Sequence, residues 1–320
     1  MMQLLKENTD CDHPLNQQQI IELLDQKYGI RCERKAIGRN TSYLKEAGYD
    51  IESCSSGIYI DSRTFERSEL KLLIDSVLSS KHIDNKHSED LIKKLIKEGG
   101  RYFTSGIKYL YYNKQSTKTA NTSVFYNIEL IDEAIEKKQK IKFVYNKYDT
   151  TKKLVPKSEQ AYIVNPYHML IHNQRYYLIC NIDKYDDIRY LRLDRITNIE
   201  IINEYSKPLK TLGYPNGLDL ASLYTTLPYM FGEKASMVTM RCRQSIIGDI
   251  IDWFGTNFSI KVLDSEYIEV GLQVGLAAMK FWLMQYGDSA EVLSPISLRE
   301  AVASSVKYMN SVYNTTQGNE

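Results

Sequence analysis

Between Ile141 and Leu193 the sequence is a succession of short strands separated by tight turns, and no other stretch restricts the fold as much. Residues 141–145, 161–164, 167–172, 176–182 and 188–193 are strands by composition and alternation, with 173–175 and 183–187 as connections. Strands this short and this close make a small, strongly bent sheet or an open barrel. A helix over residues 127–138 leads into this run. On either side the periodicity changes. Residues 1–63 and 64–122 are mostly helical, and 207–320 interleave helices and strands. The chain is therefore expected to be a multidomain α+β protein with four segments: 1–63, 64–122, 123–206 and 207–320.

In the first segment Asn16 and Gln19 have capping-box spacing ahead of Ile20, Ile21, Leu24 and Tyr28, and Gly29 ends that helix. A second helix is expected over residues 33–47. Ile37, Thr41 and Leu44 lie on its inner face, Lys35, Arg39 and Ser42 on the opposite one, and Gly48 follows. Residues 49–60 then read as a hairpin around Ser55-Ser56-Gly57. Helix, turn, helix and hairpin is the order of a winged helix-turn-helix.

Charge sharpens this expectation. Lys and Arg number 41 and Asp and Glu 40, a net charge of +1, so bulk charge cannot carry nucleic-acid binding and a local patch must. Residues 31–45 hold Arg31, Arg34, Lys35, Arg39 and Lys45 against Glu33 alone. Cations so placed pair with phosphates, and Arg or Asn can bond base edges in the major groove. The candidate DNA contacts are Arg31, Arg34, Lys35, Arg39, Asn40, Ser42 and Tyr43. The bland alternative is a solvated helix face; the capped helix before it and the hairpin after it favour DNA. Gly38 sits inside the helix and costs about 0.5–1 kcal/mol relative to Ala. The helix before Asn8 is short, so the head is expected to depend on dimerisation or DNA for order.

In residues 64–122 Ser68 is a candidate cap for a helix carrying Leu70, Leu73, Ile74, Val77 and Leu78. A second helix carries Leu91, Ile92, Leu95 and Ile96 up to Gly99-Gly100. Residues 116–122, rich in Thr, Ser, Lys and Asn, read as an exposed linker.

Three ordered motifs then stand in the β-rich segment. They are Asn165-Pro166-Tyr167-His168-Met169-Leu170, Gln174-Arg175-Tyr176-Tyr177-Leu178-Ile179, and Ile188-Arg189-Tyr190-Leu191-Arg192-Leu193-Asp194-Arg195-Ile196. Together they resemble the ligand-sensing WYL domain of bacterial transcriptional regulators, whose naming triplet appears here as Tyr176-Tyr177-Leu178, with Tyr in place of Trp. The flanks resemble the same family: a winged helix-turn-helix, a helical linker, and a C-terminal WCX extension that includes Asp252-Trp253-Phe254-Gly255 and Leu293-Ser294-Pro295. The resemblance implies an Sm-like small β-barrel with a basic pocket for an anionic nucleotide or oligonucleotide effector. It points to Tyr167, His168, Tyr177, Arg189, Arg192 and Arg195 as ligand-binding residues. Guanidinium forks suit phosphate, and rings can stack on bases. Strand parity sends Arg189 and Arg192 to opposite faces. The alternative is that Asp183, Asp186, Asp187 or Asp194 hold these arginines for the fold alone.

The last segment opens irregularly around Pro208, Gly213, Pro215, Gly217 and Pro228. Residues 237–242 alternate, with Val238, Met240 and Cys242 on one face. Ile246, Ile247, Ile250, Ile251 and Phe254 form a helix stripe closed by Gly255. Strands over 258–263 and 268–274, a helix over 276–286, a strand over 291–293 and a helix over 296–313 complete a ferredoxin-like α+β pattern. Arg241 and Arg243 read as surface arginines or as an extension of an anion site.

No window is long and apolar enough for a membrane span, and the first residues lack the pattern of an export signal. Five widely spaced Cys without CxxC, and five His without a metal motif, imply a reduced cytoplasmic protein with no metal and no cofactor. GxSxG, P-loop, GxGxxG and paired-carboxylate motifs are missing, so no enzyme activity is expected. The first functional reading is a homodimeric, DNA-binding transcriptional regulator with a built-in sensor. The second is a nucleic-acid-binding accessory protein of a repair or defence system, and the third a hydrolase acting on nucleotides.

Overall fold

The computed structural model describes residues 1–61, 63–103 and 118–315, and its chain divides into two compact units, Met1–Val124 and Phe125–Glu320.

In the first unit, α1 (Met2–Asn8) buries Leu4 and Leu5 completely against α2 (Gln17–Tyr28) and α3 (Arg34–Glu46). Each such side chain contributes about 1.5–3 kcal/mol relative to exposure, so the short helix is anchored by two residues. The capping box forms as the spacing predicts: Gln19 N donates to Asn16 Oδ1 and Asn16 N to Gln19 Oε1, both at 2.9 Å. Gly29 ends α2 with φ +65. The hairpin pairs β1 (Ile51–Cys54) with β2 (Gly57–Ile60), and Leu15 bridges to Ile58 as a third rung. A Cβ at Gly57 would lie 2.3 Å from the Leu15 carbonyl, so the close bridge admits only glycine. Three helices followed by a hairpin fit a winged helix-turn-helix.

Two further helices, α4 (Arg67–Ser79) and α5 (Asn85–Glu98), enclose Leu70 and Ile74 together with Phe103. Glu66, not Ser68, caps α4, with Glu69 Oε2 accepting from Glu66 N at 2.8 Å; Ser68 falls inside the first turn. The linker expectation also needs correction. Residues 116 and 117 lie outside the described residues, but Thr119 and Asn121 are buried. The cause is Lys118, whose ammonium donates to the carbonyls of Val77 and Ser80 and to Ser88 Oγ, each at 2.9 Å, and so ties the segment to the C-terminal end of α4.

The second unit contains two sheets. After α6 (Val124–Glu136), the strands β3 (Gln139–Tyr148), β4 (Leu154–Pro156), β5 (Tyr162–His172), β6 (Arg175–Asn181) and β7 (Ile188–Arg192) pair in the order β4-β3-β5-β6-β7, and β8 (Ile196–Tyr205) returns to β3. All pairings are antiparallel, and register shifts in β3–β8 and β5–β6 curl the sheet. Its concave face encloses Phe143, Leu178, Cys180, Leu193 and Ile196, closed by Ile131 and Ala134 of α6. The segments expected separately at 161–164 and 167–172 are one strand with a bulge at Tyr167.

The outer face of β5–β7 is covered by residues 209–230, including α7 (Leu220–Thr226), around Leu170, Ile179, Ile188, Leu227 and Met230. The second sheet orders β9 (Ala235–Arg243), β10 (Ser259–Val262), β11 (Tyr267–Gly275) and β12 (Ala290–Ser294) as β10-β11-β9-β12. Val238, Met240 and Cys242, with Ile268, Val270, Leu272 and Val274, face α8 (Ile247–Phe254), α9 (Leu276–Gln285) and α10 (Ile296–Thr315), as the alternation predicts. The stripe of α8 is narrower than expected: Ile246, Ile250 and Phe254 are buried, whereas Ile247 and Ile251 are exposed. No helix among the described residues is long and apolar enough to cross a membrane.

Candidate nucleic-acid interface and effector site

Helix α3 presents its charge to solvent because its inner face is fixed. Ile37 is buried in the head core, Leu44 packs beside it, and Thr41 Oγ1 donates to the Ile37 carbonyl at 2.9 Å. That leaves Arg34, Lys35, Arg39, Asn40, Ser42 and Tyr43 at the surface, with Ser42 Oγ donating back to the Gly38 carbonyl at 3.3 Å. Among the described residues Arg34, Lys35, Arg39 and Lys45 make no ion pair. Arg31, on the turn before the helix, makes only a loose one, 3.5 Å from Asp25, with its side chain 91% exposed. Solvent-exposed pairs of this kind contribute little, so they leave the cations available. Gly38 has room: a Cβ there would meet only Gln17 Nε2 at 4.0 Å. Gly38→Ala is therefore expected to stabilise the head by about 0.5–1 kcal/mol through helix propensity. Urea unfolding checks this, and an unchanged or lower midpoint would refute it.

The six sequence-predicted effector residues do not converge. Tyr167, the bulge residue of β5, is buried, and its hydroxyl donates to the Lys207 carbonyl at 2.7 Å. It belongs to a polar network in which Asn165 Nδ2 donates to Asp183 Oδ1 at 2.7 Å and Lys207 N donates to Asn165 Oδ1 at 2.9 Å. His168 is exposed, in register with Ile179. Arg189 pairs in register with Cys180 and Arg192 with Tyr177, so the two arginines do lie on opposite faces. Arg189 is held by Asp187 at 2.8 Å and lies over the Tyr185 ring, 5.3 Å from its centroid. Tyr167, His168 and Arg189 thus stand apart from the rest.

Tyr177, Arg192 and Arg195 do come together, around a carboxylate. Asp194, 2% exposed, sits in the 3-10 turn Leu193–Arg195 that carries the chain from β7 into β8. Its Oδ1 accepts from Arg192 Nε at 2.9 Å, and its Oδ2 accepts from Arg192 Nη2 at 2.6 Å and from Arg175 Nη1 at 3.1 Å. Arg175 is the first residue of β6, so the cluster joins a strand end to a turn. Burial opposes the Arg192 charge, but the hydrogen bonds and attraction of Asp194 outweigh it and hold its pKa up. Arg175 goes the other way: burial and repulsion from Arg192 lower its pKa against the pull of Asp194. The shared carboxylate serves Arg192 first.

The phenol of Tyr177 lies within the field of Arg175, Arg192, Arg195 and Asp194, and burial is the main cause that raises its pKa. Tyr145 closes the inner side; burial raises its pKa too, and its hydroxyl accepts from Arg192 N at 3.2 Å. Arg195 has a buried Nε without a hydrogen-bond partner among the described residues. Three guanidiniums against one carboxylate leave a local excess of positive charge beside two phenols, which suits an anion with forked acceptors. Sequence reasoning missed Arg175, Tyr145 and the organising role of Asp194. By sequence Arg175 reads only as part of a turn, and Tyr145 lies far away along the chain. Among the described residues no group of His, Cys, Asp and Glu could hold a metal ion.

No curated protein matches the chain. Among solved structures, the proteasome accessory factor B/C (PafBC) of Arthrobacter aurescens is similar at 16% identity and a TM-score of 0.30, over 88% of this chain and 44% of that one. The chain therefore spans less than half the length of that relative. A CRISPR Cas-related protein is similar at 13% identity and a TM-score of 0.42, over 81% of this chain and 76% of that one. The family model of the WYL domain matches residues 126–201, from α6 through the curled sheet and the Asp194 cluster. The model of the WCX domain matches residues 238–309, the second sheet and its helices. The chain therefore carries a WYL domain followed by a WCX domain.

Proposed function

We propose that this protein is a sequence-specific, DNA-binding transcriptional regulator whose WYL domain binds an anionic nucleotide or a single-stranded nucleic acid. The observation that carries the reading is the pairing of two cationic surfaces of different kinds in a chain of net charge +1. On α3 the cations are exposed and make no ion pair among the described residues, as phosphate and base contacts require. Around Asp194 they are half-buried and organised, as a small effector requires. In this reading the head is a winged helix-turn-helix, the curled sheet an Sm-like barrel, and the second sheet a ferredoxin-like domain. The protein works as a cytoplasmic homodimer, reads two half-sites, and has no enzymatic activity. The effector regulates only if it binds the DNA-competent and DNA-incompetent states with different affinity.

Footprinting on promoter fragments, with and without an oligothymidylate, tests the proposal. Protection of a short defined site, strengthened or weakened by the oligonucleotide, is the expected result. Protection spread without sequence preference would instead favour an accessory nucleic-acid-binding protein.

A further inference from the structure

A cavity lies on the outer face of the curled sheet. It has a volume of about 700 Å³, within the range of about 300–1,000 Å³ usual for ligand sites. Its walls are Ile188 and Tyr190 of β7, Tyr214 and Leu218 of the irregular segment, and Leu223 and Leu227 of α7. The close approach of Gly232 to the Ile188 carbonyl, where a Cβ would lie at 2.8 Å, brings the chain against β7 at this cavity. No residue of the Asp194 cluster lines it.

The cavity joins apolar walls to an acidic mouth. Asp186, Asp187, Asp219 and Glu233 line it, against Lys234 as the one cation among its lining residues. Glu233 is fully committed, both oxygens accepting from Ala277 N and Ala278 N at the start of α9. Asp187 is held by Arg189. Asp186 and Asp219 each have one oxygen engaged, with Lys207 at 3.0 Å and Ser222 N at 3.2 Å, and the other without a partner among the described residues. Counting Lys207 and Arg189 as well, the mouth remains net negative. Inside, the phenols of Tyr190 and Tyr214 make no hydrogen bond among the described residues. Burial pushes the Tyr190 phenol up to about 12, so it stays a neutral donor and acceptor.

From this we infer that the cavity between β7 and α7 is a binding site for a small aromatic amine. The ring lies among Tyr190, Tyr214 and the leucines, and the ammonium sits at the mouth against Asp186 and Asp219. An anion is disfavoured there by the same carboxylates, so this site and the Asp194 cluster select ligands of opposite charge.

Isothermal titration of the full chain with tryptamine, and separately with indole-3-acetate, tests the inference. The two probes share a ring and differ in the sign of the charge. Tryptamine is expected to bind at one site per chain, and indole-3-acetate at least about tenfold more weakly. The double variant Asp186→Asn and Asp219→Asn keeps the shape, because Asn caps a helix as well as Asp, and should weaken tryptamine by about tenfold. Leu223→Trp should intrude on the ring position beside Tyr214 and weaken binding by about tenfold or more. Equal affinity for the two probes, no saturable tryptamine binding, or full tryptamine affinity in the double variant would overturn the assignment.

Discussion

Asp194→Ala is expected to destabilise the second unit by about 3 kcal/mol, the low end of what breaking a buried ion pair costs. The carboxylate is 2% exposed and accepts three hydrogen bonds from two guanidiniums, whose side chains are 20% and 22% exposed. Without it Arg175, Arg192 and Arg195 repel one another beside the buried phenols of Tyr145 and Tyr177 with no countercharge. Their partial access to water keeps the loss from being larger. Arg175→Ala should cost less than Arg192→Ala, because Asp194 bonds Arg192 through both oxygens and Arg175 through one. Urea unfolding at neutral pH reads all three variants.

A second readout separates a structural knot from an effector site. An anion bound by the liberated guanidiniums should restore stability in Asp194→Ala, by about 2.7 kcal/mol at a hundredfold excess over its dissociation constant. If oligothymidylate restores nothing at any soluble concentration, the cluster holds the fold and binds no effector. The double variant Arg192→Ala with Tyr177→Ala is expected to fold and to lose the effector response.

What could be read from the sequence followed the range of each interaction. The capping box of α2 depends on residues three apart, and the buried rows of β9 and β11 depend on alternation, so both were legible. Strand β8 was not: Asn198, Glu200 and Asn203 dilute its apolar pattern, Asn198 takes a φ of +53, and its partner β3 lies far back along the chain. The Asp194 cluster was half legible. The run Arg192-Leu193-Asp194-Arg195 gave the cations, and Asp194 stood among the carboxylates able to pair with them. Only the 3-10 turn shows that the aspartate faces inward and gathers Arg175 from another strand. Tyr167 misled for the converse reason. A bulge re-aims it into the core, and no local pattern marks a bulge of that kind. The linker over 116–122 looked solvated by composition, but one lysine with three acceptors outweighs the polarity of its neighbours.

Replacing Arg34, Lys35 and Arg39 together with alanine is expected to lower affinity for the operator by about a hundredfold or more, at about 1 kcal/mol for each hydrogen bond lost. The fold should not register the change. All three side chains are exposed and make no ion pair among the described residues, so surface substitution there is worth no more than about 0.5 kcal/mol each. That separation of binding from stability is what distinguishes an interface from a structural stripe. Salt dependence then assigns the roles. Removing a cation that neutralises one phosphate should reduce the slope of log affinity against log salt by about 0.9, uniformly across sequences. Removing a side chain that reads a base should leave the slope nearly intact and relax preference at one position. Arg39 lies one turn beyond Lys35 on the same exposed face, so Arg39→Ala alone decides whether this side chain reads a base or only grips the backbone. If the triple variant retains full affinity and an unchanged slope at physiological salt, α3 does not enter the groove and its charge serves solubility alone.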